Sequence, residues 1–331
     1  MKDRRIRRAL FGLLSGVLVA STAAPALAQA WLPPKGEASF SLGYGNVFVN
    51  KHYLGTSAGP GDNVESDFGH IRSQSVEIGL GYGLTDRLAA SVAIPYILTK
   101  YYGTPGQNFF PHTISVDDGQ YHGIFQDFKI NLSYQALQGR VAVAPFVSAV
   151  IPSHSYTYFA HSAAGKGLRE YLVGTSFGAR LDQLLAGSYV ELTYSYAFVE
   201  RVLGVHHDRS NGFLEVGYYV TPSLSLRGIG TAVYTHGGLV LREADVLPPP
   251  EVFLHHDQID HESGISLGGG VSYVLTGSTE LYVAYLTQVQ GRGGHKIKDS
   301  LSFGVSYSFS PAQLGRRIFP PKSPGTPVGT P

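Results

Sequence analysis

Histidine is the residue of this chain with the clearest capacity for chemistry, and its 13 copies are unevenly distributed. All of them fall in predicted long connections between strands or at the edges of those connections. Two groups combine imidazole with carboxylate, and their candidate metal ligands are His206, His207, His255, His256 and His261. Imidazole and carboxylate together suit Zn²⁺, Cu²⁺ or Ni²⁺, so these loops could capture a divalent transition metal. The alternative is that apolar strands leave histidine no other position, in which case no cofactor is expected.

A second pattern with chemical potential is Gly-x-Ser-x-Gly, which occurs around Ser176 and around Ser266. Hydrolases that use this motif place the serine on a sharp turn between a strand and a helix. Both matches here lie inside segments that alternate with period two, where glycine and serine fill the small positions. We therefore predict that the protein is not an enzyme, with a lipase as the alternative.

The elements that must position these residues are strands. In the clearest segment, serine and glycine alternate with an apolar series made of Leu301, Phe303, Val305, Tyr307 and Phe309. Period two gives a strand one apolar face and one polar face. About twelve such segments run from residue 38 to residue 309, each near the roughly 9–11 residues that a tilted membrane-spanning strand needs.

The connections between these segments distinguish a soluble sandwich from a membrane barrel, because they alternate between short and long. The predicted short turns are 83–87, 137–139, 182–186, 221–223 and 276–279. The predicted long loops are 49–71, 99–123, 152–169, 200–209, 235–262 and 290–298. This asymmetry is typical of outer-membrane barrels, and an even strand number places both termini in the periplasm. We therefore predict an all-β transmembrane antiparallel barrel of about 12 strands, with short periplasmic turns and long extracellular loops.

Six charged residues fall on the small, polar face of these strands and are predicted to line the lumen: Glu77, Lys129, Arg180, Glu191, Glu215 and Arg227. Two pairs, Arg180 with Glu191 and Glu215 with Arg227, flank short turns and are expected nearly opposite each other. One interpretation is a charged constriction that selects ions or polar solutes. The other is a set of cross-strand salt bridges that hold the register. The formal net charge of +1 provides no basic face, so no nucleic acid is expected as a partner.

The two ends of the chain differ in composition from the strands. Residues 1–28 have a basic start, an apolar stretch at 9–20 and the small-residue site Ala26-Leu27-Ala28, which together predict a signal peptide for Sec export. Residues 29–37 are then a short N-terminal periplasmic segment. Residues 310–331 are rich in proline and glycine and are predicted to form a disordered periplasmic tail. The predicted location is the bacterial outer membrane.

Two segments carry a resemblance to a known family. Residues 82–88 (YGLTDRL), followed by Ile94-Pro95-Tyr96, resemble the signature of outer-membrane transporters named for the meta-pathway of phenol degradation. The glycine-containing closing strand at 302–309 is similar too. The chain departs from that family at Gln126-Asp127, where Gly-Asp is usual, and by continuing beyond Phe309. The resemblance implies uptake of hydrophobic compounds.

The predicted function is passive or facilitated passage of a small, hydrophobic solute through an outer-membrane channel. The alternatives are a metal-binding or adhesive surface protein with histidine-rich loops on a plugged barrel, and an outer-membrane lipase. The expected partners are outer-membrane lipid, the solute, and the barrel-assembly machinery. That machinery commonly recognises a last strand that ends in an aromatic residue, here Phe309.

Overall fold

The alternating segments form strands of a single antiparallel sheet. The computed structural model describes residues 30–54, 64–66, 69–103, 116–240 and 250–311. The predicted signal peptide lies outside the described residues, and so does the predicted tail from residue 312 onward. Among the described residues, no helix is long and apolar enough to cross a bilayer.

Twelve strand positions follow one another around the sheet in sequence order. The first four are β1 (Ala38–Leu54), β3 (His70–Gly83), β4 (Leu88–Tyr102), and β5 (His122–Phe125) with β6 (Asp127–Tyr134), which share one position. The next four are β7 (Val141–Pro152), β8 (Glu170–Arg180), β9 (Ser188–Val199) and β10 (His207–Thr221). The last four are β11 (Leu224–Gly237), β12 (Ser263–Thr276), β13 (Thr279–Arg292) and β14 (His295–Phe309). A short strand, β2 (Val64–Ser66), pairs with the end of β1.

The sheet closes on itself because its last strand pairs with its first. β14 runs antiparallel to β1, in a register from Ala38 opposite Phe309 to His52 opposite His295. A closed ladder leaves no backbone donor or acceptor at a free edge, which is the condition for crossing lipid with strands. The prediction of a 12-strand antiparallel barrel is confirmed.

The outward face of the barrel is apolar and the inward face is small or polar. On β3, Ile78 and Leu80 point outward and are 43% and 52% exposed, whereas Ser75 and Glu77 point inward and are 7% and 5% exposed. This is the inverse of a soluble β-protein, in which the apolar face is the buried one. The outward band therefore matches a hydrocarbon environment.

The connections alternate as predicted, with one exception. The prediction of a long loop at 290–298 is wrong, because β13 and β14 are joined only by Gly293 and Gly294. Both glycines have positive φ, 65° and 66°, which is the conformation of a two-residue hairpin turn. Several strands are also longer than the roughly 9–11 residues predicted, among them β1 with 17 residues and β4 and β14 with 15 each.

Two long loops fold together over the long-loop end of the barrel. One is residues 153–169, and the other contains two short helices, α1 (Pro250–Leu254) and α2 (His256–Ile259). Gln258 Nε2 donates to Lys166 O at 2.6 Å, and the Tyr158 and His255 rings stack at 5.3 Å. We call residues 153–169 and 250–262 together the cover.

Candidate functional site

The lumen contains a cavity of about 490 Å³ toward the short-turn end, which we call the turn-end cavity. Of the six charged residues predicted to line the lumen, five contact this cavity: Glu77, Arg180, Glu191, Glu215 and Arg227. Asp182 and Glu280 also line it, as do the aromatic side chains of Trp31, Tyr189, Tyr219 and Tyr282. The wall therefore combines more carboxylates than guanidinium groups with several aromatic rings.

Arg227 is the centre of the charge network in this cavity. Its guanidinium lies 3.4 Å from Glu215 on the neighbouring strand β10 and 3.1 Å from Glu280 on β13. The second contact passes over β12, where the residue opposite Arg227 is Gly270 and no side chain intervenes. Tyr189 donates its hydroxyl to Glu215 at 2.6 Å. The structure thus brings together the predicted Glu215 and Arg227 and adds Glu280 to them.

A second ion pair lies between the turn-end cavity and the rest of the lumen. Lys129 Nζ is 2.6 Å from Glu77 Oε2, although these residues belong to β6 and β3 with β4 between them. Glu77 lines the turn-end cavity, whereas Lys129 lines a separate cavity of about 190 Å³ on the side of the cover. We call the latter the loop-end cavity. The pair is therefore positioned at the boundary between the two spaces.

Arg180 and Glu191 do not form the second predicted pair. The register of β8 and β9 places Arg180 opposite Tyr189 and Glu191 opposite Gly178, and no ion pair joins the two within the described part of the chain. Glu191 Oε1 instead accepts a hydrogen bond from the backbone N of Ala30, at 2.8 Å. The hydrogen-bond partner of Glu191 therefore comes from the segment before β1. Counting residues along neighbouring strands does not consider that segment.

The segment before β1 enters the barrel at its short-turn end. Gln135 is only 1% exposed and binds it twice, accepting from Leu32 N and donating to Ala30 O, both at 2.8 Å. Trp31 lies against Gly178, where a Cβ would come within 2.4 Å of its ring, so only glycine allows this approach. Trp31, within the predicted N-terminal periplasmic segment at 29–37, thus contributes to the wall of the turn-end cavity, a role for which the sequence of this segment carries no periodic signal.

The loop-end cavity has a different lining from the turn-end cavity. Its wall includes the inward side chains of Val47, Val49, Ile71, Val150 and Leu168. The first three belong to a buried apolar cluster that also contains Tyr101 and Ile297. Nearer the short turns, the inward residues of the same strands are serine or glycine, for example Ser41 and Gly43 on β1. Beneath the cover, apolar side chains thus join a lining that also carries charged residues, among them Lys129, Lys166, Glu170, Asp257 and Glu262.

Asp117, in the connection between β4 and β5, binds the cover. Its carboxylate accepts four hydrogen bonds of 2.6–3.0 Å, from the backbone N and ring Nδ1 of His161 and from the N and Oγ of Ser162. Burial favours a higher pKa for Asp117, but the hydrogen bonds from His161 and Ser162 outweigh it and hold the pKa below its usual value of 3.8. The carboxylate form is therefore the one that holds the loop.

Gln126, which stands where the resembled family usually has glycine, and the following Asp127 also hold the cover. Gln126 Nε2 donates to Ala164 O at 2.7 Å, and Asp127 Oδ1 accepts from the Tyr156 hydroxyl at 2.7 Å. Burial, followed by the hydrogen bond to Asp127, raises the pKa of Tyr156, which therefore remains a donor. Gln126 lies between the end of β5 and the start of β6, where the strand is interrupted. Its side chain therefore points toward the loop at 153–169.

The five histidines predicted as metal ligands do not converge on one point. His206 and His256 pair with Asp208 and Asp257, at 2.9 and 3.1 Å, and His255 bonds to Gln258. His207 lies beside Val205 O, and His261 lies beside Gly237 O. Within the described ranges, no group of three or more His, Cys, Asp or Glu side chains could hold a metal ion. Metal capture by these residues stays a hypothesis.

A different set of histidines does meet under the cover. The His52 ring centroid lies 4.8 Å from that of His295 and 5.9 Å from that of His161. The His161 ring also stacks on Tyr101 at 4.3 Å. These residues come from β1, β14 and the loop at 153–169, so sequence spacing could not group them.

Neither Gly-x-Ser-x-Gly motif forms a hydrolase turn. Ser176 lies inside β8 and Ser266 inside β12, and no helix follows either serine. The Ser176 hydroxyl is 1% exposed and lies 2.8 Å from the Thr193 hydroxyl on the next strand. The arrangement is a cross-strand contact within the lumenal wall.

Comparison with models of known protein families gives no match, and neither does comparison with curated protein sequences. Among solved structures, an outer-membrane channel from Pseudomonas putida F1 is similar over 85% of this chain and 98% of its own, with 14% identity and a TM-score of 0.64. The NanC porin (81% and 98% covered, 11% identity, TM-score 0.46) and the P. putida toluene transporter TodX (85% and 91% covered, 10% identity, TM-score 0.40) are also similar. The first likeness shows a shared fold. With its closed ladder and outward apolar band, the protein is a β-barrel of the bacterial outer membrane.

Proposed function

We propose that the barrel is a channel for a small, mainly hydrophobic solute, and that it belongs with the transporters named for the meta-pathway of phenol degradation. The observation that carries this proposal is the cluster of inward apolar side chains in the wall of the loop-end cavity, Val47, Val49 and Ile71. A channel for ions or sugars has no need of inward valine and isoleucine side chains, because such residues offer a hydrated solute no hydrogen bond. The similar P. putida protein is itself an outer-membrane channel.

The proposed route has two stages. The solute leaves water against the apolar side chains of the loop-end cavity, which is too small at about 190 Å³ to hold a bulky molecule. It then passes the Glu77–Lys129 pair into the larger turn-end cavity, whose aromatic side chains can contact it. The N-terminal segment lies at the far side of that cavity. Passage therefore requires local movement of the cover, of the ion pair and of this segment.

A planar-bilayer experiment tests the proposal. The purified barrel is expected to give ion-conducting channels whose current is interrupted by toluene, but not by sucrose at equal concentration. The double variant Val47→Thr/Val49→Thr keeps the side-chain shapes and adds two hydroxyls in the loop-end cavity. It should weaken the interruption by toluene by roughly 30-fold, since each of the two unpaired buried hydroxyls costs on the order of 1 kcal/mol.

The matched control is Val76→Thr, the same change on the outward face of β3, where Val76 is 37% exposed. It should leave the interruption by toluene unchanged. A channel that toluene does not interrupt, or that sucrose interrupts equally well, would contradict passage of a hydrophobic solute. A liposome-swelling series with solutes graded in size and polarity would then define the alternative.

A further inference from the structure

The outward face of the barrel carries three cations at the long-loop end of neighbouring strands. On β3, the outward apolar series ends at Val76, and Arg72 lies two outward positions beyond it. The ladder places Arg72 directly opposite Phe48 on β1 and directly opposite Lys100 on β4. Lys298, on β14, lies on the other side of Phe48. We call Arg72, Lys100 and Lys298 the cationic patch.

Aromatic rings and one amide position these cations. The Arg72 guanidinium carbon is 4.8 Å from the Phe48 ring centroid, and Lys298 Nζ is 5.8 Å from the same centroid. Lys100 Nζ lies 4.5 Å from the Tyr102 ring. Arg72 also donates to Asn46 Oδ1 at 2.9 Å. The cations are thus held against ring faces by cation–π contacts, at the border between apolar surface and water.

The patch lacks a matching set of anions within the described residues. Like charges directly opposite each other in a ladder, as Arg72 and Lys100 are, destabilise a sheet. On the described strands beside the patch, Asp299 of β14 places a carboxylate opposite Phe48. No carboxylate oxygen of the described chain forms an ion pair with any of the three cations. Three positive charges and one negative charge leave an excess that an external anion can neutralise.

We propose that the cationic patch binds the phosphate groups of the phosphorylated glycolipid of the outer leaflet. The long loops of such barrels face outward, which places the patch at the level of the glycolipid headgroups. Arginine and lysine form charge-assisted hydrogen bonds with phosphate, and clusters of them at a membrane border recognise anionic lipid headgroups. The apolar surface directly below accommodates the acyl chains of the same lipid molecule. A free phosphate ion would use the cations but not that surface.

Lipid binding to the refolded full-length barrel tests this. Vesicles would contain phosphatidylcholine alone, with diphosphorylated lipid A, or with lipid A stripped of both phosphates, and bound lipid would be counted by native mass spectrometry. We expect retention of diphosphorylated lipid A only. The triple variant Arg72→Gln/Lys100→Gln/Lys298→Gln should bind it at least about tenfold more weakly. Added salt should weaken binding to the unmodified protein in the same direction.

The matched control is Lys35→Gln/Arg87→Gln/Arg201→Gln, which also removes three exposed cations but lies away from the patch. It should retain lipid A as the unmodified barrel does. Equal loss in both triple variants would show a general charge effect and would overturn the proposal. Equal binding of dephosphorylated lipid A would overturn it as well. This comparison uses only the unmodified barrel, so it does not depend on the folding of a variant. If inorganic phosphate displaces lipid A at comparable concentration, the site is one for free phosphate and the lipid assignment is wrong.

Discussion

Inside the barrel, Arg227 is the residue on which the charge balance of the turn-end cavity depends. Its side chain is only 10% exposed, as is appropriate for a cation that two carboxylates neutralise. Glu215 is similarly buried and would become an unpaired charge if Arg227 were neutral. Removing one partner of a buried pair is costly because the other charge is left without compensation. The pair can serve as a clamp on strand register or as part of a charged constriction, and these two roles respond differently to mutation.

Glu215→Gln and Arg227→Gln should each lower the free energy of unfolding by roughly 1–3 kcal/mol if the pair is a register clamp. The double variant should lose less than the sum, because the second change removes a charge that is already unpaired. Denaturant titration of the refolded barrel in detergent measures all three values. Single variants that shift ion selectivity and keep full stability would instead support the constriction.

The Glu77–Lys129 pair shows why residue-level prediction from the sequence was incomplete. Counting outward from a turn identifies partners on adjacent strands, and it therefore identified Glu215 with Arg227. Glu77 and Lys129 are separated by a whole strand, whose inward residues at this height are Ala93 and Pro95. Two long side chains meet because the residues between them are small. Such a contact depends on the curvature of the closed sheet, which no local spacing encodes.

Among the larger elements, the cover is held by a small number of hydrogen bonds rather than by an apolar core of its own. Asp117→Asn replaces one carboxylate oxygen by an amide NH₂, which faces donors of His161 or Ser162 instead of accepting from them. The open form of the loop at 153–169 should become roughly 5- to 100-fold more populated, since unsatisfied donors cost about 1–3 kcal/mol. Hydrogen exchange of that loop measures the change. Asp118→Asn, at the exposed neighbour that contacts His122, should leave exchange unchanged.

The stability of the cover should depend on pH through the Asp117 carboxylate, and the direction of the pKa shift fixes the sign of that dependence. The pKa of Asp117 is lower in the folded protein than its value of 3.8 in the unfolded chain. Its contribution to stability is therefore fully present above pH 4 and is lost as the pH falls through the lower, folded value. The protection factor of the loop, which corrects the exchange rate for the intrinsic pH dependence of amide exchange, should therefore fall below about pH 4 in the unmodified protein. The fall should be smaller in Asp117→Asn, and an equal fall would assign the pH dependence to another group.

The N-terminal segment lies beside the turn-end cavity of the proposed passage, and Gln135 holds it. Gln135→Ala removes the hydrogen bonds to Leu32 and Ala30, at about 1 kcal/mol each, so departure of the segment should be roughly 30-fold more frequent. Single-channel recordings should show longer or larger open states than the unmodified barrel. Gln138→Ala, in the exposed part of the same turn, is the control. Unchanged conductance in Gln135→Ala would mean that the segment does not limit the current.

A strand, turn or loop could be predicted from the sequence only where a local residue pattern marks it. Period-two alternation identified the strands, because lipid on one side and a small polar lumen on the other impose opposite demands on successive residues. The link between β13 and β14 is predicted as a long loop at 290–298 and is in fact a tight turn. Its Gly293-Gly294 pair is itself a hairpin signal in the sequence. The inward fold of residues 30–34 and the assembly of the cover rest on side-chain hydrogen bonds between distant parts of the chain.

At the scale of the whole molecule, the barrel exists only when β14 has paired with β1. Phe309 is the last residue of this pairing and lies opposite Ala38, and its ring lies 5.5 Å from that of Tyr307. An aromatic residue at this point contacts the inner membrane–water boundary, where such rings are favoured. Pro311 has no backbone amide, so it cannot extend the ladder inside a closed sheet. The closing contact and the signal for assembly are therefore expected to coincide at Phe309.

Phe309→Ala should reduce the amount of folded barrel in the outer membrane far more than Phe319→Ala, which alters an aromatic residue beyond the strand. A closed barrel resists detergent and migrates differently before and after boiling, so the ratio of the two gel bands measures folding directly. Truncation after Phe309 should leave that ratio unchanged. If truncation abolishes the unboiled form while Phe309→Ala preserves it, assembly depends on residues 310–331, and closure by the pairing of β14 with β1 is not sufficient to complete the barrel in the cell.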